Sequence, residues 1–274
     1  MKMKITSFWA LALLRRVIAQ TTTVSVGTCA DWPSTISADT VLELAAKEIA
    51  CPTNTYVEVV NGAAVTMTSA FASTTLDNVR FEVVDSSKLI LDVPDLTMTG
   101  IYQSQVGGVL FVDVGSTMEV MHEITFSGNS IFLKYGIGFD VVSRGGAAVY
   151  SAGTTTFYER AYFLGNGQYE ADGDGEEPDN EAGGALFNSG SMTFMKKATF
   201  MDNFNPNGGN GGAIANLGNL AFQRRGVFRN NSVGPAFNDD GIPYGGLGGA
   251  GIVKGREGHG THAVGCAKVE ILHI

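Results

Sequence analysis

The chain has 274 residues, of which 44% are apolar and 36 are glycine, with 18 lysines and arginines against 27 acids. That apolar content suffices for the core of one elongated domain or two small ones, and the glycine excess points to a turn-rich β protein. A formal net charge of −9 argues against nonspecific nucleic-acid binding. No apolar run reaches the roughly 18 residues of a membrane span.

Residues 1–19 read as a secretory signal peptide. Lys2 and Lys4 form a basic start, Ile5 to Leu14 an apolar segment, and Val17-Ile18-Ala19 a small-residue cleavage site before Gln20. Arg15 and Arg16 are unusual so near that site, and a membrane anchor or an ordinary amphipathic start is the alternative. The expected location is extracellular or at the cell surface. In that oxidising context Cys29 and Cys51 are placed to close a disulfide, two unrelated free thiols being the alternative. Cys266 is left over, either free or paired between chains.

Residues 20–55 are expected to form an N-terminal cap containing a helix over 37–50. Thr40 with Glu43 makes a capping box, and Val41, Leu42, Leu44, Ala45 and Ile49 supply an apolar face. Such a cap would cover the unpaired strand edges at the end of a stack of coils.

Residues 56–100 then alternate as strands do, with Val57 and Val59, Val65 and Met67, Phe81 and Val83, Leu89, Leu91 and Val93, and Leu96 and Met98. They read as degenerate early coils, with Val65-Thr66-Met67-Thr68 echoed by Leu96-Thr97-Met98-Thr99. Four repeats follow at 107–129, 145–166, 183–203 and 211–231. Each couples a Gly-rich start (Gly145-Gly146, Gly183-Gly184, Gly211-Gly212) to a Phe-x-x-Asn end. Those ends are Phe126 to Asn129, Phe163 to Asn166, Phe200 to Asn203 and Phe228 to Asn231. The last two copies start 28 residues apart (183 to 211), and the others 38 apart because insertions follow Asn129 and Asn166. One copy is too short to bury its own apolar face, so copies must stack at about 4.8 Å per coil. Equal positions would then form an interior phenylalanine stack and an asparagine ladder. The glycine pairs would make corners without a Cβ to clash, and asparagine tolerates the left-handed conformation of a tight corner.

Gly-Gly-Ala-[Ile/Leu/Val] followed by Phe-x-x-Asn resembles the repeat of the chlamydial polymorphic outer membrane proteins, which also occurs in surface proteins of other lineages. The glycine motif stands at Gly145-Gly146-Ala147, Gly183-Gly184-Ala185-Leu186 and Gly211-Gly212-Ala213-Ile214. The resemblance covers about residues 107–232. It implies a right-handed parallel β-helix of the pectin-lyase-like type, displayed on a surface and used for adhesion. The bacterial family ends in a membrane β-barrel that has no counterpart here.

Two features of the repeats are candidates for function. Glu159-Arg160, Lys196-Lys197 and Arg224-Arg225 follow the turn glycines at equal spacing, with His122 and Glu123 nearby in the first copy. Stacked, Arg160, Lys196, Lys197, Arg224 and Arg225 make a ridge suited to an anionic polysaccharide, or simply a solvated bend that keeps strand edges soluble. The second feature is the acidic insertion around Asp172, Asp174 and Glu176. It has Ca²⁺-type ligands without a Ca²⁺-loop spacing, so a solvated loop is the alternative. Asn230 starts an N-glycosylation sequon.

The tail, 245–274, holds Gly258-His259-Gly260-Thr261-His262, similar to the histidine motif of subtilisin-like proteases, with Asp239 or Asp240 as the aspartate. The chain shows no serine nucleophile segment to complete that set. The expected whole is an all-β parallel β-helix over 56–244 with a helical N-terminal cap. It would be structural or adhesive, without catalysis, cofactor or resident metal. A carbohydrate-active β-helix enzyme, a polysaccharide lyase or epimerase, is the alternative, and a truncated protease fusion a more distant one.

Overall fold

The computed structural model describes residues 21–103, 107–133, 145–170, 182–205, 211–234, 236–237, 243–244 and 252–254. The expected leader at 1–19, the carboxylates Asp172, Asp174 and Glu176, the aspartates Asp239 and Asp240, and His259, His262 and Cys266 lie outside them. The described chain is nearly all strand, in parallel sheets that curl, an architecture compatible with a β-helix. Among the described residues no helix is long and apolar enough to cross a membrane.

One coil shows the plan. The chain runs through the strands Leu186–Asn188, Ser191–Phe194, Ala198–Met201 and Phe204–Asn205. Each pairs in parallel with its equivalent in the coils before and after. Leu186 lies between Val149 and Ile214, Met192 between Thr155 and Leu220, and Phe200 between Phe163 and Phe228. Phe204 lies between Gly167 and Ser232. Alternate residues point inward, so each inward residue meets its own counterpart.

The helix expected over 37–50 is not there. Residues Thr40–Leu44 and Glu48–Val59 are strands. Thr40, Leu42 and Leu44 are buried while Val41 and Glu43 are not, a period of two rather than 3.6. Strands Thr22–Val26 and Ala64–Ser69 flank this stretch and give its backbone ladder partners on both sides. The Thr40 hydroxyl donates to the Ala38 carbonyl at 2.8 Å instead of capping a helix. Stacked strands therefore begin at Thr22, well before residue 56. The segment between Gly27 and Ile36 takes a turn through Cys29–Asp31, tied to the bulge at 51–54 by the Cys29–Cys51 disulfide. Asp31 Oδ2 accepts from the Thr28 hydroxyl at 2.9 Å and from the Thr28 and Gly27 amides at 2.7 and 3.0 Å, which holds its carboxyl below the usual range. Trp32 packs edge-on against Phe81 at 5.5 Å.

Inside the repeats two aromatic columns run side by side. Phe126, Phe163, Phe200 and Phe228 stack at 5.1, 4.5 and 5.0 Å, and Phe157, Phe194 and Phe222 at 4.7 and 4.9 Å. The columns meet edge to face, as between Phe163 and Phe194 at 6.1 Å and 85°. Beside them lies the asparagine ladder. Asn129, Asn166 and Asn203 each donate a side-chain N–H to the Oδ1 of the next asparagine, at 3.0, 3.1 and 2.8 Å. Their second N–H, and that of Asn231, goes to a backbone carbonyl of the preceding coil at 2.9–3.1 Å. Each Oδ1 also accepts a backbone amide from the preceding coil.

Two details differ from the sequence expectation. The left-handed corner residue is the one before each ladder asparagine: Gly128, Gly165, Asp202 and Asn230, with φ of 64°, 60°, 56° and 50°. Freed from that role, the asparagines turn their side chains inward. The glycine motif is also offset in one copy, because Gly146, not Gly145, pairs with Gly183. Gly184 does stack on Gly212, where a Cβ would lie 2.0 Å from the Gly212 carbonyl oxygen, and the later turn glycines Gly153, Gly190 and Gly218 stack as well. A Cβ on Gly190 would lie 2.0 Å from the Gly153 carbonyl oxygen.

Replacing Asn203 by alanine strands the Asn166 donors and the Asn231 acceptor in a dry interior, and should cost on the order of 1–3 kcal/mol; a melting curve unchanged from wild type would refute the ladder's contribution. Cys29→Ser with Cys51→Ser opens a loop of 22 residues. By loop-closure entropy it should cost about 3 kcal/mol in denaturant titration, with the m-value showing whether the unfolded state also changed.

Candidate functional site

The candidate site is the bend that every coil makes between two of its strands. Residues Met121–Glu123, Tyr158–Arg160, Met195–Lys197 and Gln223–Arg225 each span it with three residues, so the bends stay in step. Backbone bonds stack them: the amides of Tyr158, Met195 and Gln223 donate to Val120, Phe157 and Phe194 at 2.9, 2.9 and 2.8 Å. The result is two outward rows, His122–Glu159–Lys196–Arg224 and Glu123–Arg160–Lys197–Arg225.

The charge along these rows is uneven. At the N-terminal end it is compensated: His122 Nε2 lies 2.9 Å from Asp92 Oδ1, and Arg160 Nη1 lies 3.6 Å from Glu123 Oε2. Among the described residues Arg160 is thus the one ridge cation with a carboxylate partner. Lys196, Lys197, Arg224 and Arg225 are exposed and make no ion pair with any described residue. In the same row Glu159 lies one coil away from Lys196. Tyr158 and Met195, 37% and 40% exposed, add an apolar border to the ridge.

The other sequence candidates fall elsewhere. The acidic insertion around Asp172, Asp174 and Glu176 lies outside the described residues. Among the described residues no group of three or more His, Cys, Asp or Glu is arranged to hold a metal ion. Asn230 is exposed at its corner while Asn231 is buried, which leaves the sequon asparagine facing outward.

Sequence reasoning missed one cluster. Arg80 points outward from its strand yet is 2% exposed. Its guanidinium meets Glu82 at 2.5 Å and donates to the Gly107 carbonyl at 3.2 Å, near the rings of Tyr56 and Phe111 at 5.7 and 5.9 Å. Burial pushes its pKa down and the Glu82 carboxylate opposes that. An outer aromatic column continues from it, with Phe111, Tyr150 and Phe187 stacked at 4.8 and 5.1 Å. The available signal was Arg80-x-Glu82 in a strand whose Phe81 and Val83 face in, which places both charges on one side. A buried ion pair of this kind orients neighbouring segments rather than binding a mobile ligand.

No family model, no curated protein and no solved structure matches the chain. Because Lys196 and Lys197 are exposed and make no ion pair with any described residue, Lys196→Ala with Lys197→Ala should leave thermal stability within about 0.5 kcal/mol of wild type. A large loss would show that these lysines hold the bend together and are not free for a ligand.

Proposed function

We propose that the chain is a right-handed parallel β-helix of the pectin-lyase-like type, built from repeats similar to those of polymorphic outer membrane proteins. It serves as a secreted or cell-surface adhesive protein that binds anionic polysaccharide along the ridge. The observation that carries this is the stacking of Lys196 and Lys197 beneath Arg224 and Arg225, exposed and without carboxylate partners among the described residues. A linear polyanion lying along the axis meets a cation pair at each of these coils, so weak contacts add up without a closed pocket. The net charge of −9 does not oppose this strongly, since a Debye length of about 8 Å at physiological salt screens acids elsewhere on the surface. The Cys29–Cys51 bridge supports an oxidising compartment, and hence export.

Binding of the purified chain to a sulfated or uronate polysaccharide, such as immobilised heparin or pectate, tests the reading. Affinity should fall steeply with salt. Arg224→Ala with Arg225→Ala should weaken it on the order of tenfold, since each exposed pair contributes up to about 1 kcal/mol. Binding indifferent to both salt and the double substitution refutes the ridge. Cleavage of the polysaccharide, lost on replacing Arg160 or Lys196, would make the chain an enzyme instead.

A further inference from the structure

The two charged rows of the ridge differ level by level, and the register fixes the levels. On one side of the bend Val120 pairs with Phe157, Phe157 with Phe194 and Phe194 with Phe222. On the other side Ile124, Ala161, Ala198 and Gly226 pair in the same order. His122 and Glu123 therefore share one level, Glu159 and Arg160 the next, Lys196 and Lys197 the third, and Arg224 and Arg225 the fourth. All six side chains of the last three levels are exposed.

The two acids fall in opposite rows at successive levels. A straight line along the first row meets Glu159, and one along the second row meets Glu123. A path that changes row at each level instead meets His122, Arg160, Lys196 and Arg225, and no acid. The complementary path meets Glu123, Glu159, Lys197 and Arg224. Arg160, 61% exposed, touches Glu123 through one nitrogen at 3.6 Å, so its guanidinium keeps donors for a ligand. Glu159 makes no ion pair with any described residue.

Successive levels lie about 4.8 Å apart, the spacing of paired strands. In a pyranose chain joined through equatorial 1,4-links each ring advances by nearly the same distance. Each ring is also turned by half a turn from the last, so equivalent substituents project to alternate sides. We propose that the ridge takes a β-1,4-linked polyuronate, one ring per coil, lying along the seam between the two rows. This rests on the reading of the ridge as a polyanion site and adds the class of chain that fits it. The carboxylates of three successive rings meet Arg160, Lys196 and Arg225. At Arg160 and Arg225 the guanidinium fork matches a carboxylate in two-point contacts. Glu159 then faces the hydroxyl edge of the ring whose carboxylate lies on Arg160, and it accepts a sugar O–H. A heavily sulfated chain carries anionic groups on both sides and brings one against Glu159, a like-charge contact that costs affinity. Glu159 is the residue that sets the choice between the two kinds of polyanion.

The test uses the full chain, titrated at one physiological salt concentration with polymannuronate and with heparin. Two double variants each remove two cations from the same two bends: Lys196→Gln with Arg225→Gln, and Lys197→Gln with Arg224→Gln. Affinity for polymannuronate should fall on the order of tenfold in the first and about threefold in the second, because direct contacts are lost only in the first while the screened general attraction is lost in both. Heparin should lose about equally in the two. Glu159→Gln should raise affinity for heparin relative to polymannuronate on the order of threefold. Equal losses of polymannuronate in the two double variants, or a larger loss in the second, overturn the alternating path while leaving the ridge a polyanion site. An affinity ratio that Glu159→Gln does not move overturns its selective role. Salt-sensitive binding of neither probe defeats the ridge itself, and this proposal with it. Melting curves that match the parent confirm that all three variants are folded when they are compared.

Discussion

A buried amide in an apolar column is tolerable only if its donors and acceptor are all met, and here the next coil's identical amide meets them. That constraint fixes the axial register. Shifting one coil by a residue would turn each inward phenylalanine out and leave each ladder asparagine unbonded. The coils vary in length, 37 residues from Phe163 to Phe200 and 28 from Phe200 to Phe228, yet the rings stack at 4.5 and 5.0 Å. The extra length enters after the strand that follows the ladder asparagine. Between the turn glycine and the asparagine the spacing stays constant.

The ladder also begins without a defect. In the coils before Asn129 its position is taken by Ile101 and Val79, both buried, each just after a left-handed corner at Gly100 and Asn78. Asn129 therefore faces an aliphatic side chain rather than an amide. It completes its bonds on backbone: its Nδ2 donates to the Met98 carbonyl at 3.1 Å and its Oδ1 accepts the Ile101 amide at 3.2 Å. The core accordingly changes composition along the axis, from Val, Leu and Met to Phe and Asn, while the backbone plan continues unbroken.

What was legible in the sequence is what repeats. Phe-x-x-Asn survives as a spacing because both residues point inward and any slip is costly. The early coils were legible as strands from their two-residue alternation, but not their alignment: Val65–Thr68 and Leu96–Thr99 resemble one another yet lie in different sheets. The segment around Thr40 was misread because Val-Leu-Glu-Leu fits a helical stripe as well as a strand. Its neighbours decided the matter, since Thr22–Val26 and Ala64–Ser69 supply ladder partners that a helix could not use. Arg80-x-Glu82 signalled two charges on one side of a strand, but not their burial, since the partners of Arg80 include the carbonyl of Gly107, 27 residues away.

The same register that satisfies the interior also arranges the exterior. A three-residue bend repeated in step places equivalent side chains in axial rows, whatever their chemistry, so a row is not by itself a sign of selection for binding. Composition along the row is more informative. A bend whose only task was to stay soluble would be served by mixed charges, as at Arg160 beside Glu123, where neighbours neutralise one another. The last two bends instead place four cations together at successive levels, on a chain with a net excess of acids. Like charges so close repel by an amount that salt only partly screens. That repulsion costs the free protein some stability, and a bound polyanion would relieve it.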